Sequence, residues 1–262
     1  MKTWICCLAC LAIGTAARLD AAVQHQTIKY QVGDLECVGY LAWDDAVSGP
    51  RPGVLVVHEW WGLNDYARQR TEQLAQLGFL AFAADMYGAG KTVKHPQEAG
   101  QMAATVRSNV ADWQKRAVAA LDVLKQHALC DAQRLGAIGY CFGGSTVLQL
   151  AMTGADLDAV ATFHGALPTP TVEDARQIKA TLLICHGAQD SFIPEATIQK
   201  FRATLDEAGV DWEMVYYAGA RHSFTVPTAD SVGIEGIKYD AKADQRSWQQ
   251  MRQLFREKLG TR

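Results

Sequence analysis

Cys141 is the residue in this chain best suited to covalent chemistry. It lies in the run GYCFGG at positions 139–144, after the apolar segment 135–138 and before the helix-like segment 145–152. Glycines in such a run permit a sharp strand-to-helix turn that strains the nucleophile and lifts it clear of the sheet. The first amides of the following helix would then face an anionic intermediate. The run predicts a nucleophile elbow that carries a thiol, with a buried structural cysteine as the alternative.

Two further side chains follow Cys141 in the order nucleophile, acid, histidine, which is typical of a hydrolase triad on an α/β sheet. Asp190 comes shortly after the apolar, strand-like segment 180–186, and we expect it to be the acid. His222 lies in a loop after the strand-like segment 212–217 and is the candidate base. A helix-start aspartate and a surface histidine are the ordinary interpretations of each residue alone, but the three positions support one another.

The chain resembles the dienelactone hydrolase family, the cysteine branch of the α/β-hydrolases. Four blocks carry the resemblance: HEWWGLN at 58–64, DMYG at 85–88, the elbow around Cys141, and the two loops with Asp190 and His222. The first block distinguishes this family best from other esterases. A generic serine esterase would have a glycine-rich oxyanion segment after the strand-like segment 53–58, whereas this chain has Glu59 there.

The resemblance assigns roles to the residues of the first block. It implies that Glu59 contacts the resting thiol and accepts its proton when substrate enters, which leaves a thiolate–imidazolium pair with His222. Such help is needed because a free cysteine has a pKa of about 8.5 and is mostly protonated at neutral pH. The resemblance also implies an oxyanion hole made by the backbone N–H groups of Trp60 and Phe142.

The substrate-binding positions depart from the family pattern. The family holds a substrate carboxylate with arginines, one of them four residues beyond the catalytic histidine, where this chain has Val226. Another arginine, paired with a tyrosine, lies in the family's helix after the DMYG block, where this chain has Met102 and Val106. Arg221 and Lys91 offer cations from other directions. The resemblance therefore carries over the catalytic residues but not the natural substrate. The candidate substrate contacts are Tyr87, Trp61, Arg221 and His164.

The remaining histidines do not form a metal motif. His58 and Glu59 lack the second histidine at helical spacing that an HExxH zinc site requires. His58, His164 and His186 fall at predicted strand ends, and we interpret them as walls of the site or structural histidines. We predict no metal and no cofactor.

Composition favours one medium-sized enzyme domain. The chain has 262 residues, of which 49% are hydrophobic and 20% charged, and its formal net charge is −3. No basic stripe or zinc-finger spacing accompanies this charge, which argues against nucleic-acid binding. We expect a monomer whose partner is a small-molecule ester or lactone.

The first 22 residues resemble a secretory signal peptide, which leaves an enzyme domain over 23–262. Lys2 gives a positive start, residues 4–13 are almost wholly apolar, and small residues follow at 15–17. The apolar run is short for a bilayer span, so we expect a periplasmic or secreted protein without stable membrane insertion. Lipid attachment at Cys10 is the less favoured alternative. A disulfide among Cys37, Cys130 and Cys185 stays open.

Strand-like and helix-like segments alternate along the chain. This alternation predicts an α/β-hydrolase fold with a mainly parallel sheet, helices on both faces and no separate cap domain. An antiparallel pair at 27–32 and 35–43 precedes it. The other expected strands are 53–58, 79–84, 158–163 and 180–186; the expected helices are 65–77, one starting near Pro96, 110–127, 195–208 and 240–259.

Together these features predict hydrolysis of an activated ester or lactone, as in carboxymethylenebutenolidase-like enzymes, through a Cys141 thioester. A thioesterase or another acyltransferase on the same fold is an alternative. A thiol redox sensor would not need Asp190 and His222 in triad order, and a non-catalytic binding protein would tolerate loss of triad residues.

Overall fold

A sheet of eight strands forms the centre of the structure, a computed structural model that describes residues 22–260. In chain order the strands are β1 (Val23–Val32), β2 (Leu35–Asp44), β3 (Arg51–Val57), β4 (Leu80–Ala84), β5 (Cys130–Tyr140), β6 (Ala159–Phe163), β7 (Thr181–Gly187) and β8 (Trp212–Tyr217). Across the sheet the order is β1-β2-β4-β3-β5-β6-β7-β8. The β1–β2 and β2–β4 pairs are antiparallel and all the other pairs are parallel.

The helices between the strands cover both faces of the sheet. They are α1 (Asp65–Gln76), α2 (Pro96–Arg107), α3 (Val110–Gln126), α4 (Phe142–Ala151), α5 (Val172–Ala175), α6 (Glu195–Ala208) and α7 (Ala241–Leu259), with a 3₁₀ turn at Ala229–Val232. Within residues 22–260 no separate cap domain interrupts this arrangement. The predicted mainly parallel α/β fold is confirmed.

Alternation along the central strand explains why both faces need helices. Leu55 and Val57 of β3 point into the core that α3, α4 and α6 cover. Val54 and Val56 point the other way, into the core under α1 and α7. Since successive strand residues face opposite sides, a strand that is apolar at every position must be buried on both faces.

Most element boundaries match the sequence-based expectations. Gly33 and Asp34 form the predicted two-residue hairpin turn, with Val32 paired to Leu35 and Gly33 at a φ of +60°. Pro96 is the first residue of α2, where its missing N–H costs nothing. The short helix α5 and the 3₁₀ turn were not predicted, since each spans only four residues.

The parallel strands end at one edge of the sheet, and the candidate site residues follow these ends. Glu59 follows β3, Cys141 directly follows β5, and His164 directly follows β6. Asp190 and His222 lie in the loops after β7 and β8. Open α/β sheets bind ligands at this carboxyl edge.

The predicted leader falls almost wholly outside the described residues, and so does Cys10. The first strand begins at Val23, four residues before the expected start at residue 27. Among the helices of residues 22–260, none has the length and apolar character needed to cross a membrane.

Candidate active site

The turn at Cys141 has the strained backbone predicted for a nucleophile elbow. Cys141 has φ +51° and ψ −111°, a region that L-residues with a side chain rarely adopt. Its N–H donates to the Phe163 carbonyl over 3.0 Å, which fixes the turn against β6. A Cβ on Gly139 would lie 2.0 Å from the Gly143 carbonyl oxygen, and one on Gly143 would lie 2.1 Å from that of Val57. The start of α4 can approach β5 and β3 this closely only because positions 139 and 143 are glycine.

The three predicted triad side chains meet in one row. The Cys141 Sγ lies 3.1 Å from His222 Nε2, and His222 Nδ1 lies 2.7 Å from Asp190 Oδ2. The other carboxylate oxygen of Asp190 accepts the Phe192 N–H over 2.9 Å. Because an ionised carboxylate only accepts, Asp190 fixes a proton on Nδ1 and leaves Nε2 facing the sulfur.

The environment of His222 favours its charged form. Burial opposes protonation, but the Cys141 sulfur and the Asp190 carboxylate outweigh it and raise the pKa of the imidazole well above its usual value. The ring is therefore able to hold a proton beside an anionic sulfur. Such a pair is what a thiol nucleophile needs at neutral pH.

The two backbone amides that the family resemblance assigns to an oxyanion hole, those of Trp60 and Phe142, are free to bind an acceptor. Neither the Trp60 N–H nor the Phe142 N–H has a hydrogen-bond partner within residues 22–260. Phe142 is the first residue of α4, so its N–H has no acceptor in the helix and the positive end of the helix dipole lies there. The two donors are those that the family resemblance implies.

Side chains on both sides of Trp60 hold its peptide in place. The Met86 N–H donates to His58 Nε2 over 3.2 Å, so the ring proton is on Nδ1, which donates to the Glu59 carbonyl over 2.5 Å. The Tyr87 hydroxyl donates to the Trp60 carbonyl over 2.8 Å. His58 is thus a structural histidine, and the hydroxyl of Tyr87, a predicted substrate contact, is occupied by the loop.

Asp85 organises the loop that carries Tyr87. It is fully buried, and its carboxylate accepts four backbone N–H groups. The donors are those of Val38, Tyr87, Gly88 and Gly90, at 2.8–3.0 Å. Because it binds four backbone N–H groups, this carboxylate fixes the conformation of the loop. Asp85 therefore has a structural role in the DMYG block and not a catalytic one.

Glu59 does not contact the thiol, so the expected resting contact is wrong for this structure. The Cys141 thiol is next to His222 instead, and the buried Glu59 carboxylate accepts the Ser223 hydroxyl over 2.8 Å. Ser223 directly follows His222 and has φ +55°. Burial raises the pKa of Glu59, although the Ser223 hydrogen bond and His222 act in the opposite direction.

His164 cannot be the substrate contact that the sequence suggested, because it is fully buried. Its Nε2 lies 2.7 Å from Thr225 Oγ1, and its ring packs edge to face against His222 with 5.4 Å between centroids. Burial, together with the nearby His222, lowers the pKa of His164 well below its usual value. The side chain is therefore a neutral imidazole behind the triad.

A cavity of about 550 Å³ opens next to the buried Glu59 and Ser223. Trp61 and Val226, two positions singled out in the sequence, line it. Arg68 and Lys94 supply its cationic groups. Arg221 lines a different cleft, with Lys238 and Tyr239, so the prediction that it contacts substrate is not supported by its position. The direction of its side chain depends on the loop after β8, which sequence patterning does not define.

The other cysteines differ from Cys141 in their surroundings. Cys37 and Cys185 are buried and Cys130 is half-buried, and no disulfide joins any cysteine of residues 22–260. Burial raises the pKa of Cys37 and Cys130 to about 11 and that of Cys185 to about 12. These three thiols are therefore poor nucleophiles.

No group of three or more His, Cys, Asp or Glu side chains is placed to hold a metal ion in the part of the chain that the structure describes. His186 is buried and packs edge to face on Tyr216. It is a structural residue behind the acid loop.

Sequence reasoning missed two residues that touch the triad region. Ser223 binds Glu59, and Phe192, which is 46% exposed, lies with its ring centroid 5.2 Å from that of His222. Each follows a predicted triad residue by one or two positions, which was the available signal. The partly exposed Phe192 ring packs edge to face against the His222 imidazole.

Comparisons with known proteins relate the chain to one family. The model of the dienelactone hydrolase family matches residues 38–259. A solved structure described as a dienelactone hydrolase-like promiscuous phosphotriesterase from metagenomic libraries is 43% identical, covers 91% of this chain and 100% of its own, and superposes with a TM-score of 0.89.

Curated relatives cover most of the chain at lower identity. A putative carboxymethylenebutenolidase of Methylorubrum extorquens is 29% identical over 81% of this chain and 74% of its own length. Protein usf of Aquifex pyrophilus is also 29% identical, over 89% of this chain and 99% of its own.

Proposed function

Since the chain belongs to the dienelactone hydrolase family of ester and lactone hydrolases, we propose that it hydrolyses an activated ester or lactone through a covalent thioester on Cys141. The observation that carries the proposal is the row of contacts from Asp190 through His222 to the thiol, at a strained turn followed by the free N–H of Phe142. A structural cysteine needs none of these features.

In the first half of the reaction the Cys141 thiolate attacks the substrate carbonyl carbon. The carbonyl oxygen becomes an oxyanion that accepts the Trp60 and Phe142 N–H groups. As the intermediate collapses, the carbon–oxygen ester bond breaks, the protonated His222 gives its proton to the departing oxygen, and the acyl group stays on sulfur.

In the second half water attacks the thioester. His222 takes a proton from the water, the oxyanion forms again between the same two amides, and the carbon–sulfur bond breaks to leave the acid and Cys141 thiolate. Asp190 accepts the Nδ1 hydrogen bond throughout and keeps the imidazole in one orientation. When substrate enters, the Glu59 carboxylate leaves Ser223 and accepts the proton of the resting thiol, so the Cys141 thiolate stands beside a His222 that is already protonated. Glu59 returns this proton to the sulfur after the acid product departs.

The thiolate limits which substrates react well. Thiolate leaves a tetrahedral intermediate more readily than alkoxide, so the intermediate returns to substrate when the leaving oxygen is a simple alkoxide. Enol esters and enol lactones, whose leaving group is a stabilised enolate, should therefore react faster than alkyl esters. The cavity beside Glu59 and Trp61 would hold the part of the substrate that does not react.

The acyl-enzyme gives the decisive test. The protein is mixed with an enol ester, quenched in acid within one turnover and measured by intact mass and by peptide mapping. We expect the acyl mass on Cys141 and ester turnover that is lost in Cys141→Ala. Cys185→Ala is the matched control, since that buried thiol lies 3.6 Å from the Tyr217 hydroxyl and outside the triad.

Each contrary outcome of this test has a defined meaning. Unchanged ester turnover in Cys141→Ala would refute the covalent mechanism. Turnover of acyl thioesters but not of oxygen esters would favour a thioesterase. Peroxide-dependent oxidation of Cys141 without turnover of any ester would favour a redox sensor, and absence of both would favour a binding protein.

A second candidate reaction is hydrolysis of a phosphotriester. It is favoured by the 43% identity to the structure described as a promiscuous phosphotriesterase. The thiolate would attack phosphorus, expel an aryloxide and leave a phosphoryl thioester, which water then cleaves. A phosphotriester with a chromogenic leaving group belongs in the same panel, and its turnover should also require Cys141.

We further propose that the enzyme is exported and works in the periplasm or outside the cell. This rests on the apolar segment at 4–13 and the small residues after it. Fractionation of cells that express the full chain, with sequencing of the mature N-terminus, tests it. An intact N-terminus in the cytoplasmic fraction would contradict export.

A further inference from the structure

His164 has an unused hydrogen-bonding atom in the most buried part of the site. Its Nδ1 is buried and has no hydrogen-bond partner within residues 22–260. The nearest carboxylate oxygen, Oε1 of Glu59, is 3.9 Å away. The residue also has φ +42°, a conformation that costs free energy for most side chains but less for histidine and asparagine. An unpaired polar atom in such a place needs an explanation.

We propose that His164 is a positioning residue for Glu59 and presents a fixed Nδ1–H donor to its carboxylate. The inference rests on the proposed function, in which Glu59 accepts the proton of the thiol. The tautomer that it requires is set by a hydrogen-bond chain of three side chains outside the triad.

This chain begins at Arg70 and ends at the other ring nitrogen of His164. Arg70 Nε donates to the Tyr66 hydroxyl over 3.2 Å. The Tyr66 hydroxyl lies 2.6 Å from Thr225 Oγ1, which lies 2.7 Å from His164 Nε2. Arg70 is itself anchored, since it donates to the Thr225 carbonyl over 3.0 Å and pairs with the Asp244 carboxylate.

Counting protons gives the direction of every bond in the chain. A guanidinium can only donate, so Tyr66 accepts from Arg70 and its own proton is free to go to Thr225. Thr225 then gives its single proton to His164 Nε2, because a Thr225 that accepted from both neighbours would leave its own buried hydroxyl proton without an acceptor within residues 22–260. In the opposite direction the Tyr66 proton would have no acceptor, which is costly for a buried hydroxyl. Because Nε2 accepts, the ring proton of the neutral His164 must be on Nδ1.

The Nδ1–H donor faces a carboxylate that already holds one hydrogen bond. Ser223 donates to Oε1 of Glu59 over 2.8 Å, whereas the His164 distance of 3.9 Å is too long for a hydrogen bond. A movement of about 1 Å would bring the two atoms into range. Two donors on one carboxylate favour its ionised form against the cost of burial, and an ionised Glu59 is the form that can accept a proton.

Other charged and titratable groups around His164 do not supply this donor. Arg70 is paired with Asp244, and His222 is paired with Asp190 and the thiol. The remaining groups that affect or pack on the ring are His186 and Tyr140.

Substitutions at Thr225 test the chain without changing either His164 or Glu59. Thr225→Val removes the hydroxyl and keeps the shape, and Thr225→Ser keeps the hydroxyl. In protein labelled with ¹⁵N-histidine, imidazole chemical shifts report which nitrogen carries the proton. We expect Nδ1–H at His164 in the wild type and in Thr225→Ser, and loss of this tautomer in Thr225→Val. Tyr66→Phe breaks the same chain one step earlier and replaces Thr225→Val if that variant does not fold.

The effect on Glu59 is measured by its own titration. The ¹³C shift of the Glu59 carboxyl, assigned with Glu59→Gln, is followed against pH. We expect its midpoint to rise by about one pH unit in Thr225→Val, because a bare Nδ1 lone pair faces the carboxylate. Thr225→Ser should keep the wild-type midpoint. If the enzyme hydrolyses esters, the acid limb of kcat/KM should move with it, with up to about tenfold lower kcat/KM on that limb.

These readouts separate the inference from the proposed function. A wild-type His164 with its proton on Nε2, or a Glu59 midpoint that is the same in Thr225→Val and wild type, would overturn the inference whatever the enzyme hydrolyses. A protein that hydrolyses no ester but shows both expected changes would overturn the proposed function and leave the positioning of Glu59 supported.

Discussion

His222 and His164 lie edge to face in the site, with 5.4 Å between their ring centroids. Their surroundings shift their pKa values in opposite directions. His222 has a carboxylate on one nitrogen and a sulfur on the other, and its pKa is raised well above the usual value. His164 is completely buried, and within residues 22–260 its one hydrogen-bond partner is the Thr225 hydroxyl. Burial lowers its pKa well below the usual value for histidine. Residue type therefore does not define the role, because the partner atoms do.

This difference in pKa divides the site into two sides. One side contains groups that can exchange a proton with substrate, and the other contains groups whose protons stay fixed in hydrogen bonds. On the first side, Asp190, His222 and Cys141 form a row in which His222 can take up a proton or give one away. On the second side, the neutral His164 and Thr225 form a buried hydrogen-bond chain behind Glu59. Pairs of titratable groups with pKa values pushed apart are a feature of acid–base sites.

Removal of the carboxylate from the first side should have the largest effect. In Asp190→Asn the amide no longer stabilises the imidazolium or fixes the Nδ1 proton, so we expect kcat/KM for an enol ester to fall on the order of 10³-fold. Asp156→Asn is a suitable control, since its side chain is 74% exposed and pairs with the exposed Lys179. A loss of kcat/KM below tenfold in Asp190→Asn would show that the Asp190 carboxylate is not what gives His222 its charged, proton-exchanging role.

The first side of this comparison could be predicted from the sequence. Cys141, Asp190 and His222 each follow a strand that an apolar or β-branched run identifies, and parallel strands end at one edge of the sheet. The glycines around Cys141 indicate the tight turn directly. Local signals are therefore sufficient for a triad whose members sit on strand ends.

The second side could not be predicted in this way. Tyr66 and Thr225 are 159 positions apart, and their hydrogen bond exists only because α1 packs near the loop after β8. His164 follows its strand as the triad residues do, but only the packing around it decides that it is buried. Glu59 was expected at the thiol, and its actual partner, Ser223, lies 164 positions away in the chain.

Ser223→Ala should sharpen the comparison with a smaller effect on activity. The variant removes one of the two donors near Glu59 without touching the row of His222, so we expect roughly a tenfold fall in kcat/KM and no change in the burst of acyl-enzyme per active site. Ser108→Ala, which removes an exposed hydroxyl that donates to the Thr105 carbonyl over 2.7 Å and does not line the cavity, is the control. A loss as large as that of Asp190→Asn would mean that Ser223 acts within the triad.

The smallest expected effect is on stability, where the two histidines should give pH dependences of opposite sign. His164 has a folded pKa below its unfolded value of about 6.5, so the unfolded chain binds a proton that the folded chain does not as the pH falls through this value. The stability associated with its neutral form is present above pH 6.5 or so and is lost towards acid, by at most about 1.4 kcal/mol per pH unit.

His222 has the opposite sign because its folded pKa is raised. Its contribution is fully present below about pH 6.5 and is lost as the pH rises through the folded pKa. Denaturant unfolding across pH, with wild type, His164→Asn and His222→Asn, measures both. The wild-type advantage over His164→Asn should shrink towards acid and that over His222→Asn should shrink towards base. If the free-energy difference between wild type and variant changed with pH in the same direction for both variants, the hydrogen-bond partners would not explain how the two imidazoles differ.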